Sequence, residues 1–302
     1  MKRSVILMGG KTYVLSLPSQ WIKKYRIQKG EELDIEEKDN SIIVRTERHP
    51  AGKELEVDFS VLQQMLSRGV GAIYKAGYSR AKIAFHGKEQ LQKIEESLQR
   101  TLVGFEITKQ AENYVLIESL TEVMVQEFPN SLKRIFYSLE LMNQDLVQAL
   151  SSKDKALLKK VIDKDGQINR LADFCRRVIN TGETQLLDKP HSLYYIVEQL
   201  ERIGDLYKKI ATLVLEQKMA VSKESLSLLE EINVLLVSYR TLFYGFTLGG
   251  FETFGKDFYA LRTKIEQLYS TSKPELFPLL LHQGFLAETI FDMNGALLTR
   301  NV

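Results

Sequence analysis

The chain of 302 residues reads as a mainly α protein in three parts: a small β unit, a small α/β unit and a six-helix region. Three observations predict this. Residues 1–47 break into short apolar runs punctuated by Gly9-Gly10, Pro18, Gly30 and Asp39-Asn40, as strands and turns do. Residues 52–120 alternate strand-like with helix-like patterns. From residue 125 to 302, apolar residues recur at helical spacing between short polar breaks.

The elements follow in order. Ser4 to Met8 and Tyr13 to Leu17 are expected strands, Ser19 opens a brief helix through Tyr25, and Glu31 to Glu36 and Ser41 to Arg45 are two further strands. So small a unit buries too little surface to be stable alone, which predicts a dimer. His49 to Gly52 is a linker by composition. Strand Leu55 to Val57, helix Ser60 to Val70, strand Ala81 to Phe85, helix Lys88 to Leu102 and strands Gly104 to Thr108 and Tyr114 to Ile117 suggest a ferredoxin-like or related sandwich. The long helices are expected over Glu127 to Leu150, Lys153 to Asn180, Ser192 to Lys218, Ser222 to Leu248, Phe251 to Tyr269 and Glu275 to Arg300, two sets of three.

Composition narrows the class. With 44% hydrophobic and 26% charged residues the chain is an ordinary globular protein, and a single cysteine, Cys175, excludes an internal disulfide framework and fits a reducing cytoplasm. No stretch approaches the roughly 18 apolar residues of a membrane span, so any membrane contact is expected through a partner. The net charge of +2 hides a segregation. Residues 1–30 hold Lys2, Arg3, Lys11, Lys23, Lys24, Arg26 and Lys29 and no acid, whereas Glu31, Glu32, Asp34, Glu36, Glu37 and Asp39 follow at once. Two copies of Lys2, Arg3, Lys11, Lys23, Lys24 and Arg26 would form the footprint of phosphate-backbone binding. A solubilising face or a contact for an acidic protein is the plainer alternative. Trp21 is expected to anchor the short helix rather than stack on bases.

The six-helix region carries a duplicated carboxylate pair. Glu201 and Asp205 stand one turn apart in Leu-Glu-Arg-Ile-Gly-Asp, and Glu288 and Asp292 repeat them at a constant offset of 87 residues. Leu193, Ile196, Leu200, Ile203, Tyr207, Ile210 and Val214 form a core seam, which puts Glu201 and Asp205 on the outer face with Tyr194, Glu198 and Lys208. Carboxylates four apart on a helix can converge on a hard or borderline cation such as Mg²⁺, Mn²⁺, Fe or Zn²⁺, given ligands from another helix. Asp165 and Asn169 offer them. Asp165 falls on an apolar stripe, where a bound cation, an arginine partner or a local break at Asp163 to Gly166 would account for it. Taken alone, such a pair is usually just a solvated helix face. No nucleophile is evident among the scattered histidines, Cys175 reads as a core thiol, and no enzyme is expected.

Two resemblances sharpen this. Gly10 to Ile35, G-K-T-Y-V-L-S-L-P-S-Q-W-I-K-K-Y-R-I-Q-K-G-E-E-L-D-I, is similar to the AbrB/SpoVT/MazE family, with Glu31 where that family often has Asp. This implies a swapped-hairpin barrel made by two interlaced chains, a homodimer that binds DNA. Leu200 to Ala211, L-E-R-I-G-D-L-Y-K-K-I-A, resembles the signature helix of PhoU-type phosphate-signalling regulators, which implies a pair of three-helix bundles over residues 125–302. The second resemblance implies a divalent or trivalent metal ion at Glu201 and Asp205, at Glu288 and Asp292, and at Asp165 with Asn169. Asn169 replaces an acid, and the helix around Asp257 keeps no pair. The whole chain resembles archaeal-type regulators that join these modules. It implies a cytoplasmic transcription regulator of phosphate homeostasis; the alternative is an adaptor acting on a phosphate ABC transporter or its signalling kinase.

Overall fold

The computed structural model describes residues 2–38, 40–46, 53–120, 125–181, 187–217 and 221–302. The expected linker His49 to Gly52, Gly182 and Lys218 lie outside them. Two compact units divide at Glu54/Leu55. The α/β part and the helices therefore form one unit rather than two.

In the N-terminal unit, β1 (Ile6–Met8) pairs antiparallel with β2 (Thr12–Val14), and β3 (Asp34–Lys38) with β4 (Ser41–Arg45). The first hairpin turns on Gly9 and Gly10, whose positive φ of 63° and 75° glycine adopts without strain. Helix α1 (Ser19–Tyr25) follows Pro18 and ends at Arg26 in the left-handed region. The third strand starts at Asp34 rather than Glu31, because Gly30 (φ 87°) makes a turn in which the Gln28 amide donates to the Glu31 carboxylate at 2.9 Å. Among the described residues of 2–46 no side chain is buried. Ile6 is 59%, Met8 62%, Tyr13 76% and Ile35 71% exposed, so the hairpins lack a core within one chain.

The second unit opens with a four-stranded sheet in the order β5-β6-β8-β7: β5 (Glu54–Asp58), β6 (Arg80–Ala84), β7 (Phe105–Gln110) and β8 (Tyr114–Ser119). Helices α2 (Leu66–Lys75) and α3 (Gly87–Thr101) supply Leu66, Val70, Ile73 and Ile94 to a core with Ala81, Ile83, Val115 and Ile117. The chain order β-α-β-α-β-β departs from the β-α-β-β-α-β order of a ferredoxin-like fold. Helix α2 starts at Leu66, not Ser60. The Ser60 amide instead donates to Asp58 at 2.8 Å, and Gln90 Nε2 donates to the Ser60 and Leu62 carbonyls at 2.9 and 2.7 Å.

Six long helices follow. α4 (Phe128–Ser152), α5 (Lys155–Asn180) and α6 (Pro190–Gln217) form one three-helix bundle. α7 (Lys223–Tyr244), α8 (Leu248–Thr271) and α9 (Phe277–Asp292) form a second. A core from Val125 to Leu297 runs through both, with α4 against α7 and α6 against α9. Buried Asn143 stitches the bundles together, donating to Tyr207 Oη at 3.2 Å and to the Leu229 carbonyl at 3.1 Å. Side chains of Asp154, Ser222 and Thr247 cap the starts of α5, α7 and α8. Gly249 and Gly250, which fall between the fourth and fifth expected helices, therefore lie in the first turn of α8. A Cβ on Gly250 would lie 2.8 Å from the Leu242 side chain, so glycine lets the two helices turn tightly. The last expected helix divides at Met293 into α9 and α10 (Asn294–Asn301).

Candidate functional site

The seam of α6 is as expected: Leu193, Ile196, Leu200, Ile203, Tyr207 and Ile210 are buried, and Val214 is partly so. Gly204 lies within that seam. A Cβ there would stand 3.2 Å from Ile168, so the missing side chain draws α5 and α6 close. That closeness brings the polar stripe of α6 onto charged residues of α5.

At the centre is Arg176, 2% exposed. Its Nη1 donates to Asp173 at 2.7 Å, its Nη2 binds Glu201, and its Nε lies against Glu198 in an ion contact that lacks hydrogen-bond geometry. Burial draws the guanidinium down, but Glu201, Glu198 and Asp173 outweigh it and hold the group charged. Burial pushes the Glu201 carboxyl up and Arg176 opposes that shift; at Asp173 burial is opposed first by Lys75, then by Arg176. Lys75, on α2, reaches Asp173 at 3.8 Å and so ties the α/β part to the same cluster.

Further along α5, Asp165 is 3% exposed. Helix α5 runs unbroken through it, which excludes a local break, and the partner is a lysine rather than an arginine. Lys208 Nζ donates to Asp165 Oδ2 at 2.7 Å and lies 3.9 Å from Asp205. Asn169 Nδ2 donates to the same Asp165 oxygen at 3.2 Å. Asp165 Oδ1 and Asn169 Oδ1 are buried acceptors with no hydrogen-bond donor among the described residues.

The second repeat is built differently. Helices α6 and α9 begin at Pro190 and Phe277, at the same offset of 87 residues, so Glu288 and Asp292 do stand where Glu201 and Asp205 do. Yet Glu198 becomes Phe285, and Gly204 becomes Phe291, stacked on Phe258 at 3.8 Å. Glu288 meets Arg262 at 3.8 Å, and Asp292 is exposed.

Six candidate metal ligands thus fall into three separate places: Glu201 on Arg176, Asp165 with Asn169 and Asp205 on Lys208, and Glu288 on Arg262 in the helix pair that also carries Asp292. Among the described residues no group of three or more acidic, histidine or cysteine side chains is placed to hold a metal. A divalent ion needs several oxygens and tolerates no ammonium or guanidinium in its place. As arranged, these residues do not fit one. Helical periodicity does not single out Arg176; the signal for it is Arg176-Arg177 between Cys175 and Val178, two charges in an apolar stripe.

On the N-terminal unit, Lys2, Arg3, Lys11, Lys23, Lys24 and Arg26 are all exposed. Lys11 sits at the tip of the β1–β2 hairpin, and Lys23 and Lys24 in the last turn of α1. Trp21 packs on Tyr25, with ring centroids 5.4 Å apart, which is an anchoring contact inside the helix.

The PhoU domain model matches residues 132–214, and the model of the antidote-toxin recognition MazE, a bacterial antitoxin, matches residues 6–51. Residues 132–214 thus resemble a PhoU domain, and residues 6–51 ahead of them a MazE antitoxin. The PhoU match spans most of α4, all of α5 and α6 to Val214, and so includes both Arg176 and Lys208 with their carboxylates. The phosphate transport system regulatory protein PhoU from Streptococcus pneumoniae, a solved structure, is 19% identical. The similarity covers 59% of this chain and 95% of that one, with a TM-score of 0.47. No curated protein matches. Both matched domains are regulatory rather than catalytic in kind. No described helix is long and apolar enough to cross a membrane.

Proposed function

We propose that this PhoU-like chain is a transcription regulator linked to phosphate homeostasis, whose MazE-type domain binds duplex DNA as a homodimer. The observation that carries this reading is the N-terminal unit itself. It presents six exposed cations and buries no described side chain, so it offers phosphate contacts and lacks half of its own core. A second copy supplies the missing apolar surface to Ile6, Met8, Tyr13 and Ile35 and doubles the basic face. The phosphate link rests on the PhoU-domain match. The input to the bundle is placed on a protein partner rather than a metal ion, since the carboxylates already hold the chain's own basic groups.

Duplex binding measured across salt concentrations tests this. Affinity is expected to fall steeply with salt, and Lys23→Ala with Lys24→Ala to flatten the log–log slope by roughly 0.9 for each phosphate left unneutralised. Absence of duplex binding at low salt would overturn it. That result would favour an adaptor acting on a phosphate ABC transporter or its signalling kinase. The adaptor draws support from Tyr137, Leu141, Val234 and Tyr244 of α4 and α7, which are 43%, 53%, 67% and 52% exposed.

A further inference from the structure

We propose that the guanidinium of Arg176 stands in for a metal ion in the first three-helix bundle, making that bundle metal-independent, and that removing it opens a divalent-cation site. Three carboxylates, from Asp173, Glu198 and Glu201, come from two helices onto the three nitrogens of one guanidinium beside the core. Convergence of that kind is prohibitive without a cation at the centre, and Arg176 is the group there, buried to 2% exposure. Its planar fork reaches carboxylates in several directions, as a coordinating ion would. Lys75 adds a second positive charge at Asp173 from the α/β part, so the cluster is served by the chain alone. Lys208 does the same for Asp165 and Asp205. An incoming divalent ion would meet charges already neutralised and two cations in its way. The inference is independent of DNA binding and concerns the bundle only.

The experiment uses the full chain purified without chelator. Elemental analysis of the unaltered protein is expected to find metal far below one ion per chain, and melting to be unmoved by EDTA or by added Mg²⁺, Mn²⁺ or Zn²⁺. Arg176→Ala is expected to melt lower and to regain part of the loss in Mn²⁺ or Zn²⁺, because three carboxylates are then left without their cation and with room to close on an ion. Arg176→Ala with Glu201→Gln should lose that metal response. Stoichiometric metal in the unaltered protein, or a fall in its melting temperature with EDTA, would overturn the proposal. So would an Arg176→Ala protein that folds and ignores every ion tried. If Arg176→Ala fails to fold, Arg176→Gln removes the charge while keeping a polar side chain there, and its melting must then rise with divalent ion. The metal content of the unaltered chain decides the matter in either case.

Discussion

The Arg177 guanidinium lies 4.9 Å from the centre of the Tyr74 ring and donates to the Tyr74 carbonyl at 2.8 Å. It also donates to the Tyr78 carbonyl at 2.7 Å, so one α5 side chain closes the C-terminal end of α2. Hydrogen bonds from a charged donor contribute about 1.5–3 kcal/mol each, and losing both leaves two carbonyls poorly satisfied. Arg177→Ala is therefore expected to cost about 3 kcal/mol in urea unfolding. Both bonds come from Nη1, so Arg177→Lys should recover part of the loss, short of what the planar guanidinium gains over the Tyr74 and Phe105 rings. A variant as stable as the parent would show that this contact does not fasten the α/β part to the helices.

Gly77 stands at the same junction with φ 81°, where a Cβ would lie 3.2 Å from the Asn180 carbonyl and from Thr181. Left-handed backbone alone costs an ordinary residue roughly 1–2 kcal/mol, and backbone on the far side cannot yield as a side chain does. Gly77→Ala is expected to destabilise by about 2 kcal/mol or more. Thermal melting followed by circular dichroism reads it directly.

Alkali should loosen the second unit. Burial raises the Cys175 thiol and the Tyr74 phenol each to about 12, and pushes Tyr207 and Tyr239 up as well. In the unfolded chain the thiol ionises near 9.0 and the phenols near 10.0, so above those values the unfolded state has shed protons that the native state keeps. Stability thus falls as pH rises from about 9 towards 12, and is insensitive to these groups below it. Melting curves at pH of about 8 and about 10.5 should differ by several degrees. Cys175 should also resist thiol reagents until the protein unfolds.

Phe258 and Phe291 stack with their planes 6° apart. A double-mutant cycle with Phe258→Leu and Phe291→Leu is expected to give a coupling of about 1 kcal/mol beyond the burial each ring loses. A coupling near zero would mean the rings merely fill space.

Much of this architecture is legible in local pattern. The α6 seam, the polar stripe from Tyr194 to Asp205 and the duplication at 87 residues all follow from sequence spacing, although the stripe faces α5 rather than solvent. What periodicity does not carry is the neighbour across the helix gap. Asp165 signals a need for positive charge, but Lys208 as its source depends on how closely Gly204 lets α5 and α6 approach. Arg176 is hidden for a related reason, since its carboxylates lie on its own helix and on another, 22 and 25 residues away. The late start of α2 is obscured because Gln90, from α3, takes up the carbonyls of the preceding turn.

The two bundles also differ in how temperature acts on them. Desolvating charges becomes less costly on warming, whereas the driving force for burying apolar surface weakens on cooling. The first bundle joins α5 to α6 through Arg176 and Lys208, while the second joins α8 to α9 largely through Phe258 and Phe291. Chilling therefore presses first on the second bundle, and warming is tolerated best by the first, although both follow one repeated plan and share one core.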